Sequence, residues 1–339
     1  MSEILKHYTN EFRSGRDVSP YDAEVVFDEL VTSMNEDGLT GLLDAWSRKG
    51  TTEDELFRFA SIMRGRMKPL EHQSAAVTDI VGTGGSRSKT LNVSTAAAFV
   101  IAATGTAVAK HGNRAATSSS GSADVLSLLG VNVDIEIAAT RRDLDAYGLC
   151  FMFAPRFHSL SPILAAARRR VERPTIFNNV GPLCNPASAS HHVIGVWDAS
   201  LVRKTARVLT RFGTERSWIV FGTDGLDEIS LNAPTSVAEV DGSGIREFTV
   251  TPSDFGISSV AGDLPMNCTV EQSAKIIVSV LSNELIDRDA EKLILINAAA
   301  AVYVSGGSDS LTDAYEIARA CIRNGSALSK LRQISEVSL

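Results

Sequence analysis

A glycine loop and a nearby group of short polar side chains are the part of this sequence best suited to chemistry. The loop, residues 82–85, follows an apolar run, and the polar group, residues 92–95, precedes a segment with helical character. Glycine allows a ligand to approach the backbone closely, and a helix N-terminus offers free N–H groups to an anion. The arrangement predicts a phosphate-binding site, and a tight turn followed by an ordinary N-cap is the alternative. The spacing matches neither GxxxxGK[ST] nor GxGxxG, so neither a P-loop nor a dinucleotide fingerprint is indicated.

A second polar segment, Lys110-His-Gly-Asn-Arg114, follows a short apolar run that reads as a strand. It should therefore lie at the carboxyl end of that strand, where open α/β sheets bind ligands. Lysine and arginine suit phosphate, and an asparagine amide suits a carboxylate or a ribose hydroxyl. For His111, a hydrogen-bonded loop histidine is favoured over a general base. The hydroxyl group at residues 117–120 either completes an anion site or forms a polar loop.

Two carboxylates, Asp227 and Glu228, come shortly after another predicted strand. Adjacent carboxylates suit Mg²⁺, which prefers oxygen ligands and often bridges to substrate phosphates. A solvated acidic turn around Asp224-Gly225 is the alternative. No Ser-His-Asp pattern, HExxH or ligand-spaced Cys/His set is present. An anion site with a magnesium pair therefore indicates transfer at a phosphorylated sugar, where charge stabilisation does most of the catalysis.

An arginine-rich segment, Arg168-Arg-Arg-Val-Glu-Arg173, ends a helix that we expect to begin near His158. Basic residues in a last helical turn complement the helix dipole and usually face water. A functional role requires one of these arginines to turn toward a pocket.

The elements that position these residues belong to two regions with different sequence patterns. Residues 1–70 carry helical signals: Pro20 should stand near the first position of one helix, 39–48 should form another, and Thr51-Thr-Glu-Asp should cap a third. From residue 75, apolar runs alternate with small-residue helices, which predicts an α/β fold with a central sheet flanked by helices. The expected strands are 76–81, 106–109, 149–153, 193–196 and 218–221, with a hairpin at 237–250 and helices over 269–334.

Composition limits the possible classes of protein. A net charge of −7 argues against a general nucleic-acid binder, and 44% hydrophobic with 22% charged residues is ordinary for a globular enzyme. The four cysteines show no CxxC spacing, and no apolar stretch reaches the length of a membrane span. The N-terminus shows no apolar signal region. We expect a cytoplasmic protein with reduced thiols that contacts neither nucleic acid nor membrane.

Taken together, these residues make the chain resemble the anthranilate phosphoribosyltransferases, whose fold is shared with nucleoside phosphorylases. The likeness extends over nearly the full length. It is carried by Gly82-Thr-Gly-Gly85, Thr90-Leu-Asn-Val-Ser-Thr95, Lys110-His-Gly-Asn-Arg114, Thr175-Ile-Phe-Asn178, Gly181-Pro-Leu-Cys-Asn-Pro-Ala187 and Gly225-Leu-Asp-Glu-Ile-Ser230.

The resemblance implies transfer of the phosphoribosyl group of phosphoribosyl pyrophosphate (PRPP) to the amine of anthranilate, a step of tryptophan synthesis. PRPP would be held by Gly82, Thr83, Gly84, Gly85, Thr90, Asn92, Ser94, Thr95, Lys110, Ser118, Ser119 and Ser120. Mg²⁺ would be held by Ser94, Asp227 and Glu228. Anthranilate would be bound by Gly82, Asn113, His158, Arg168 and Pro182. No residue is assigned as an acid or base.

The resemblance also implies a hinged, two-domain homodimer. A small helical domain would comprise residues 1–72, with about 160–187 returning to it. Residues 73–159 and 188–339 would form a large α/β domain that binds PRPP. The two copies would be joined through their helical domains.

This chain departs from the family pattern at five places. Ser86-Arg87 replaces Asp-Gly after the glycine loop, which bears on the donor. Leu91 replaces a common phenylalanine or valine, and residues 159–162, Pro174 and Asn179 differ in ways that bear on the acceptor. Alternatives therefore remain: a related transferase with another aromatic acceptor, a pyrimidine-nucleoside phosphorylase, or a non-catalytic sugar-phosphate-binding regulator if Arg87 blocks turnover.

Overall fold

The computed structural model describes residues 2–86, 90–114, 121–260, 262, 264–284 and 288–335. Four helices come first, and no strand occurs in the described part of the chain before residue 78. They are α1 (Glu3–Arg13), α2 (Ala23–Thr32), α3 (Glu36–Lys49) and α4 (Glu53–Arg66).

The starts of these helices follow from local hydrogen bonds. Thr52 caps α4 in a capping box with Glu55, which confirms the predicted cap. The prediction for Pro20 is wrong, because α2 begins at Ala23. The Asp22 N–H donates to the Ser19 carbonyl and closes a turn that contains Pro20, so the helix starts only after this turn.

The rest of the chain alternates strands and helices and ends in helices. Its first half contains β1 (Thr78–Gly82), α5 (Val93–Ala103), β2 (Val108–Gly112), α6 (Ser122–Leu128), α7 (Ile137–Tyr147), β3 (Leu149–Phe153), α8 (Ala154–Phe157), α9 (Pro162–Arg170) and α10 (Ile176–Val180). Its second half contains β4 (His191–Gly195), α11 (Ser200–Phe212), β5 (Arg216–Gly222), β6 (Thr235–Asp241), β7 (Gly244–Val250), α12 (Val270–Leu281), α13 (Arg288–Val304), α14 (Leu311–Arg323) and α15 (Ser326–Ile334).

The strands form one seven-stranded sheet in the order β3-β2-β1-β4-β5-β6-β7. The pairs from β3 to β5 are parallel, and β6 and β7 add antiparallel strands through the predicted hairpin. The predicted strand 106–109 ends too early, because β2 continues through Lys110 and His111. The predicted strand 193–196 begins too late, because β4 begins at His191. Apolar runs did not reveal these ends because the strands there carry polar residues.

Alternate residues of the strands point to opposite faces of the sheet, and each face has its own hydrophobic core. Val193 and Trp218 pack with α5 and α13, whereas Ile194 and Ile219 pack with α11 and the N-terminal helices. Helices α9 and α10 join the second core. The predicted α/β fold with a helical part is confirmed, and the division into two domains stays a prediction.

Within the described residues, no helix combines the length and apolar character needed to cross a lipid bilayer.

Candidate active site

A cleft of about 520 Å³ lies where β1 and β2 end, between the sheet and the segment that carries α9 and α10. This volume is within the usual range for small-molecule sites. The predicted site residues that line it are Gly82, Thr83, Gly84, Thr90, Asn92, Ser94, Thr95, Lys110, Asn113, His158, Arg168, Pro182, Asp227 and Glu228. Gly85 is adjacent in the chain. Arg87, Ser118, Ser119 and Ser120 lie outside the described residues.

The glycine loop, residues 82–85, is held by backbone and side-chain contacts. Thr83 donates from its N–H and its hydroxyl to the Gly195 carbonyl, at 2.8 and 3.0 Å. Asn178 of α10 donates its side-chain N–H to the Thr83 carbonyl at 3.1 Å. Gly85 has a φ of +88°, and a Cβ there would lie 2.5 Å from a ring carbon of Pro174. The loop therefore needs glycine at 85 both for its backbone angle and for the close proline.

The polar group after the loop stands at the N-terminus of α5, as predicted. Asn92 is the N-cap residue, Ser94 is in the first turn, and Thr95 is fully buried. Within the described residues, the Thr95 hydroxyl has no hydrogen-bond partner, and the Asn92 side chain makes no capping bond to α5. The Val93 and Thr95 N–H groups donate to the Leu91 and Asn92 carbonyls, so the Ser94 N–H and the Thr95 hydroxyl are the groups of this turn that could bind an anion.

Lys110 is buried at the floor of the cleft. Its ammonium donates to the Ile80 carbonyl at 2.5 Å and to the Ser94 hydroxyl at 3.2 Å. Burial lowers the pKa of Lys110 to about 8, although the nearby carboxylates of Asp79 and Glu228 act in the opposite direction. The cleft thus contains a lysine that is still largely cationic at neutral pH and directly contacts Ser94.

The acidic loop, residues 224–228, lies against the glycine loop. The Gly84 N–H donates to the Asp227 carboxylate at 3.2 Å, and the Ser86 hydroxyl donates to the Gly225 carbonyl at 2.6 Å. The acidic loop also lies against the end of β4, because a Cβ at Gly195 would fall 1.6 Å from the Asp227 carbonyl oxygen. Burial, and then the charge of Asp227, raise the pKa of Glu228 well above its usual range.

These two carboxylates form a small oxygen-rich site. Among the described residues no group of three or more His, Cys, Asp or Glu side chains could hold a metal ion by itself. Mg²⁺ commonly takes only one or two protein carboxylates and completes its coordination with phosphates and water. Two adjacent half-buried carboxylates that repel each other fit such an ion, because a divalent cation would relieve the repulsion.

Arg168 turns into the cleft, unlike the neighbouring Arg169 and Arg170, which are exposed. Its Nε is buried with no hydrogen-bond partner in the described part of the chain, and its guanidinium lies 5.3 Å from the ring centre of Phe177. Desolvation in the cleft lowers the pKa of Arg168 to about 10. The alternative of a solvated helix end is wrong for this residue, which instead offers an unpaired cation to a ligand.

The predicted start of the arginine helix is also wrong. Helix α9 begins at Pro162, and the Ser161 hydroxyl caps it by accepting from the Leu164 N–H. His158 belongs to a different element, because it follows the one-turn helix α8. Pro162 cannot continue a helix from before it, which is the physical reason for the break.

His111 and His158 form a buried histidine pair that lines the cleft. Their Nε2 atoms are 3.2 Å apart, so one ring donates and the other accepts. Burial lowers the pKa of His111 to about 3 and that of His158 to about 4, and the neighbouring histidine lowers that of His111 further. The expectation of a loop histidine is wrong, since His111 lies in β2. The pair is neutral at physiological pH.

Asn113 is exposed at the end of β2, and its side-chain oxygen accepts from the Arg114 N–H at 2.8 Å. Its amide nitrogen therefore faces the other way as a donor. Arg114 itself pairs with Asp124 at 3.1 Å and is directed toward α6. Both Lys110 and Arg114 line the cleft, but Lys110 is buried there whereas Arg114 is exposed.

Sequence reasoning missed the groups that hold the loops in place. Ser47 of α3 donates to the Pro174 carbonyl at 2.9 Å, which links the N-terminal helices to the proline beside Gly85. Asn178 could have been suspected, because it is a polar residue inside the apolar run of α10. Ser47 gives no such signal, since a serine on a half-buried helix face is common.

Comparison with known proteins connects this geometry to a family. Residues 74–328 match the family model described as "Glycosyl transferase family, a/b domain". Anthranilate phosphoribosyltransferase from Thermomicrobium roseum is 41% identical over 304 residues, 88% of this chain and 87% of that protein. The crystal structure of anthranilate phosphoribosyltransferase from Thermus thermophilus has a TM-score of 0.85 at 32% identity, and covers 96% of this chain and 98% of that one. The structure of anthranilate phosphoribosyltransferase from Saccharomyces cerevisiae in complex with PRPP and Mg has a TM-score of 0.85 at 26% identity, and the match covers 99% of this chain and 98% of that one.

Proposed function

Since this chain belongs to the anthranilate phosphoribosyltransferase family, we infer that it transfers the phosphoribosyl group of PRPP to the amine of anthranilate. The products are N-(5-phosphoribosyl)anthranilate and pyrophosphate, and the reaction is a step of tryptophan synthesis. The observation that carries the inference is that two kinds of anion-binding group share one cleft. The glycine loop and α5 form one of them, and the other is Arg168, whose buried Nε is unpaired among the described residues.

The donor would occupy the side of the cleft formed by the glycine loop and α5. The first turn of α5 and Lys110 both favour negative charge, which suits the phosphate groups of PRPP. Asn92, Ser94 and Thr95 add short polar side chains at the same helix terminus. The yeast relative was solved with PRPP and Mg, which supports the same use of the matching cleft here.

Asp227, Glu228 and Ser94 would hold Mg²⁺ together with the donor's oxygens. When bound, this ion supplies positive charge that neutralises the departing pyrophosphate. Lys110 acts on the same charge from the protein side, because its buried ammonium is already in contact with Ser94.

The acceptor would bind between Arg168, Asn113, the histidine pair and Pro182, with Gly82 at the boundary between the two substrates. Arg168 and the Asn113 amide suit the anthranilate carboxylate. The reaction breaks the bond from C1 of the ribose to the pyrophosphate oxygen and forms the bond from C1 to the amine nitrogen, which then loses a proton. An aromatic amine is nucleophilic without a base, so the protein's work is alignment and charge stabilisation. The neutral histidine pair adds no positive charge that would repel a developing cation at C1.

The test is the loss of anthranilate fluorescence on addition of PRPP and Mg²⁺. We expect loss only when both are present, and none in the Asp227→Ala, Glu228→Ala double variant. Full activity of that variant would refute the metal assignment. Consumption of PRPP with another aromatic amine but not with anthranilate would show a different acceptor. Phosphate-dependent release of base from thymidine or uridine would show a phosphorylase, and PRPP binding without pyrophosphate release would show a regulator.

We further propose that the protein works as a homodimer joined through its helical part. Tyr21 and Met34, which flank α2, are 94% and 79% exposed, and Val25 within α2 is 45% exposed. Large exposed apolar side chains along one helix suit a surface that a second copy covers. Light scattering on the purified protein tests this, and a monomer at micromolar concentration would contradict it. A cytoplasmic location stays a prediction, supported by four free, buried cysteines.

A further inference from the structure

One contact joins the donor side of the cleft to a helix near the C-terminus. Ser273 of α12 is fully buried and lies 181 residues from Asn92 in sequence. Its hydroxyl accepts from the Asn92 backbone N–H at 2.9 Å and donates to the Asn92 side-chain oxygen at 2.9 Å. In this arrangement the hydroxyl donates its one proton and accepts one N–H, and the oxygen end of the amide faces Ser273. The amide nitrogen therefore points away from Ser273.

This contact changes what Asn92 does for α5. Asparagine at an N-cap ordinarily accepts a hydrogen bond from the second or third N–H of its helix. Asn92 makes no such bond among the described residues, because its oxygen is committed to Ser273. The side chain of Asn92 thereby leaves the terminus of this eleven-residue helix uncapped, and the buried Thr95 hydroxyl, which has no partner in the described part of the chain, lies in its first turn.

The segment around Ser273 is itself held firmly. Thr269 caps α12 through a capping box with Gln272, which fixes the start of the helix. The Cys268 N–H donates to the Thr90 carbonyl at 3.3 Å, so the same segment holds the approach to α5 at a second point. Two attachments over three residues fix the position and the rotation of the Asn92 backbone.

We propose that Ser273 is a positioning residue of the donor site: it holds the Asn92 amide away from the N-terminus of α5 and so keeps that terminus open for a phosphate group. The proposal deepens the proposed function and rests on it for the identity of the donor. Without the Ser273 hydroxyl, the Asn92 oxygen can rotate to cap α5 and compete with the phosphate for the same N–H groups.

The experiment compares Ser273→Ala with Ser279→Ala. Ser279 lies on the same helix, is also buried, and its hydroxyl donates to the Glu284 carbonyl away from the cleft. We expect Ser273→Ala to raise the KM for PRPP and the Kd for inorganic pyrophosphate with Mg²⁺ about tenfold, because one capping bond must be displaced. The KM for anthranilate should stay unchanged, and Ser279→Ala should change none of these constants.

Two further variants make the result specific. Asn92→Ala combined with Ser273→Ala should bind no more weakly than Asn92→Ala alone, since Ser273 acts through Asn92. Ser273→Cys keeps the volume and a weak donor, so it should show a smaller loss and replaces the alanine variant if that does not fold.

An unchanged donor KM in Ser273→Ala, an equal rise of both substrate KM values, or additive losses in the double variant would overturn the proposal. An inactive wild-type protein would instead refute the proposed function. In that case the pyrophosphate titration still decides the role of Ser273, because it requires only the anion site.

Discussion

Replacing Arg168 with methionine should make the free protein more stable and its binding of anthranilate weaker. Arg168 is desolvated in the cleft, its Nε has no hydrogen-bond partner, and no carboxylate among the described residues pairs with it. A buried cation without a counter-ion costs stability, and a carboxylate ligand removes that cost by pairing with it. The same feature that destabilises the empty protein would thus favour binding of the acceptor carboxylate.

The pKa of Arg168 gives the scale. Its decrease from 12.5 to about 10 corresponds to about 3 kcal/mol against the charged form in the fold. Methionine keeps a flexible apolar chain in the same space but loses the contact with the Phe177 ring, worth about 1 kcal/mol. The net expected gain in the free energy of unfolding is therefore about 1–2 kcal/mol, a few degrees in Tm. A charge-assisted pair with the anthranilate carboxylate contributes about 2–3 kcal/mol, so its loss should raise the anthranilate KM about 30- to 150-fold.

The control is Arg169→Met, which removes an arginine from the next position of the same helix, where the side chain is exposed. Thermal unfolding without ligands and steady-state kinetics with each substrate varied give the two readouts. Arg169→Met should change neither Tm nor either KM appreciably. A lower Tm for Arg168→Met would show that its contacts outweigh its desolvation. An equal rise in the KM values of PRPP and anthranilate would refute its role in acceptor binding.

Three other perturbations have expected outcomes. Ser86→Ala removes a hydrogen bond to the acidic loop and should raise the Mg²⁺ concentration needed for half-maximal activity several-fold. An unchanged Mg²⁺ concentration would show that this bond does not position the carboxylates. Gly85→Ala combines a strained φ with a clash against Pro174, so it should lower the free energy of unfolding by about 2 kcal/mol or more. The control is Gly148→Ala, where φ is +66° and no neighbour lies within 4 Å, and it should cost about 1 kcal/mol. Equal losses of the two variants in urea unfolding would exclude the clash. The pKa values of the histidine pair in the folded protein lie below the unfolded value of 6.5, so its contribution to stability is complete above about pH 6.5 and is lost as the pH falls toward 4. Replacing both histidines with glutamine should therefore reduce the stability that is lost between pH 7 and pH 5 by about 4 kcal/mol. An identical dependence of stability on pH would contradict the neutral burial of the two rings.

Much of the fold could be predicted, because its signals are local. The capping box at Thr52, the β6–β7 hairpin and strand β3 were each placed from turn chemistry or apolar runs and are confirmed. The errors arose where a polar residue has a tertiary partner. Strand β2 was ended too early because Lys110 and His111 are polar, yet both are buried with partners supplied by other segments.

The cleft was predictable as a set of residues but not as an arrangement. The sequence indicated the glycine loop, the acidic pair and the arginine segment, yet it left open whether Arg168 faces water. Only the packing of α9 against the second core decides this, because it turns Arg168 inward and leaves Arg169 outside. The bond from Ser273 to Asn92 was not predictable, since a contact across 181 residues leaves no local pattern.

The structure also changes the meaning of two departures from the family pattern. From the sequence, Ser86 was assigned to the donor side and Pro174 to the acceptor side. In the structure Pro174 lies against Gly85, while the next residue of the same loop, Ser86, bonds to the acidic loop. Both departures therefore bear on the glycine loop, Pro174 through its contact with Gly85 and Ser86 through its bond to the acidic loop.

This arrangement gives the N-terminal helices a direct connection to the glycine loop. Ser47 of α3 bonds to the Pro174 carbonyl, and the Pro174 ring touches Gly85. Any displacement of α3 relative to the sheet would thus press on the loop or release it, because a proline ring cannot yield as a flexible arginine chain can. A change of Pro174 to arginine should consequently alter the donor KM more than the acceptor KM, and the reverse order would return residue 174 to the acceptor side.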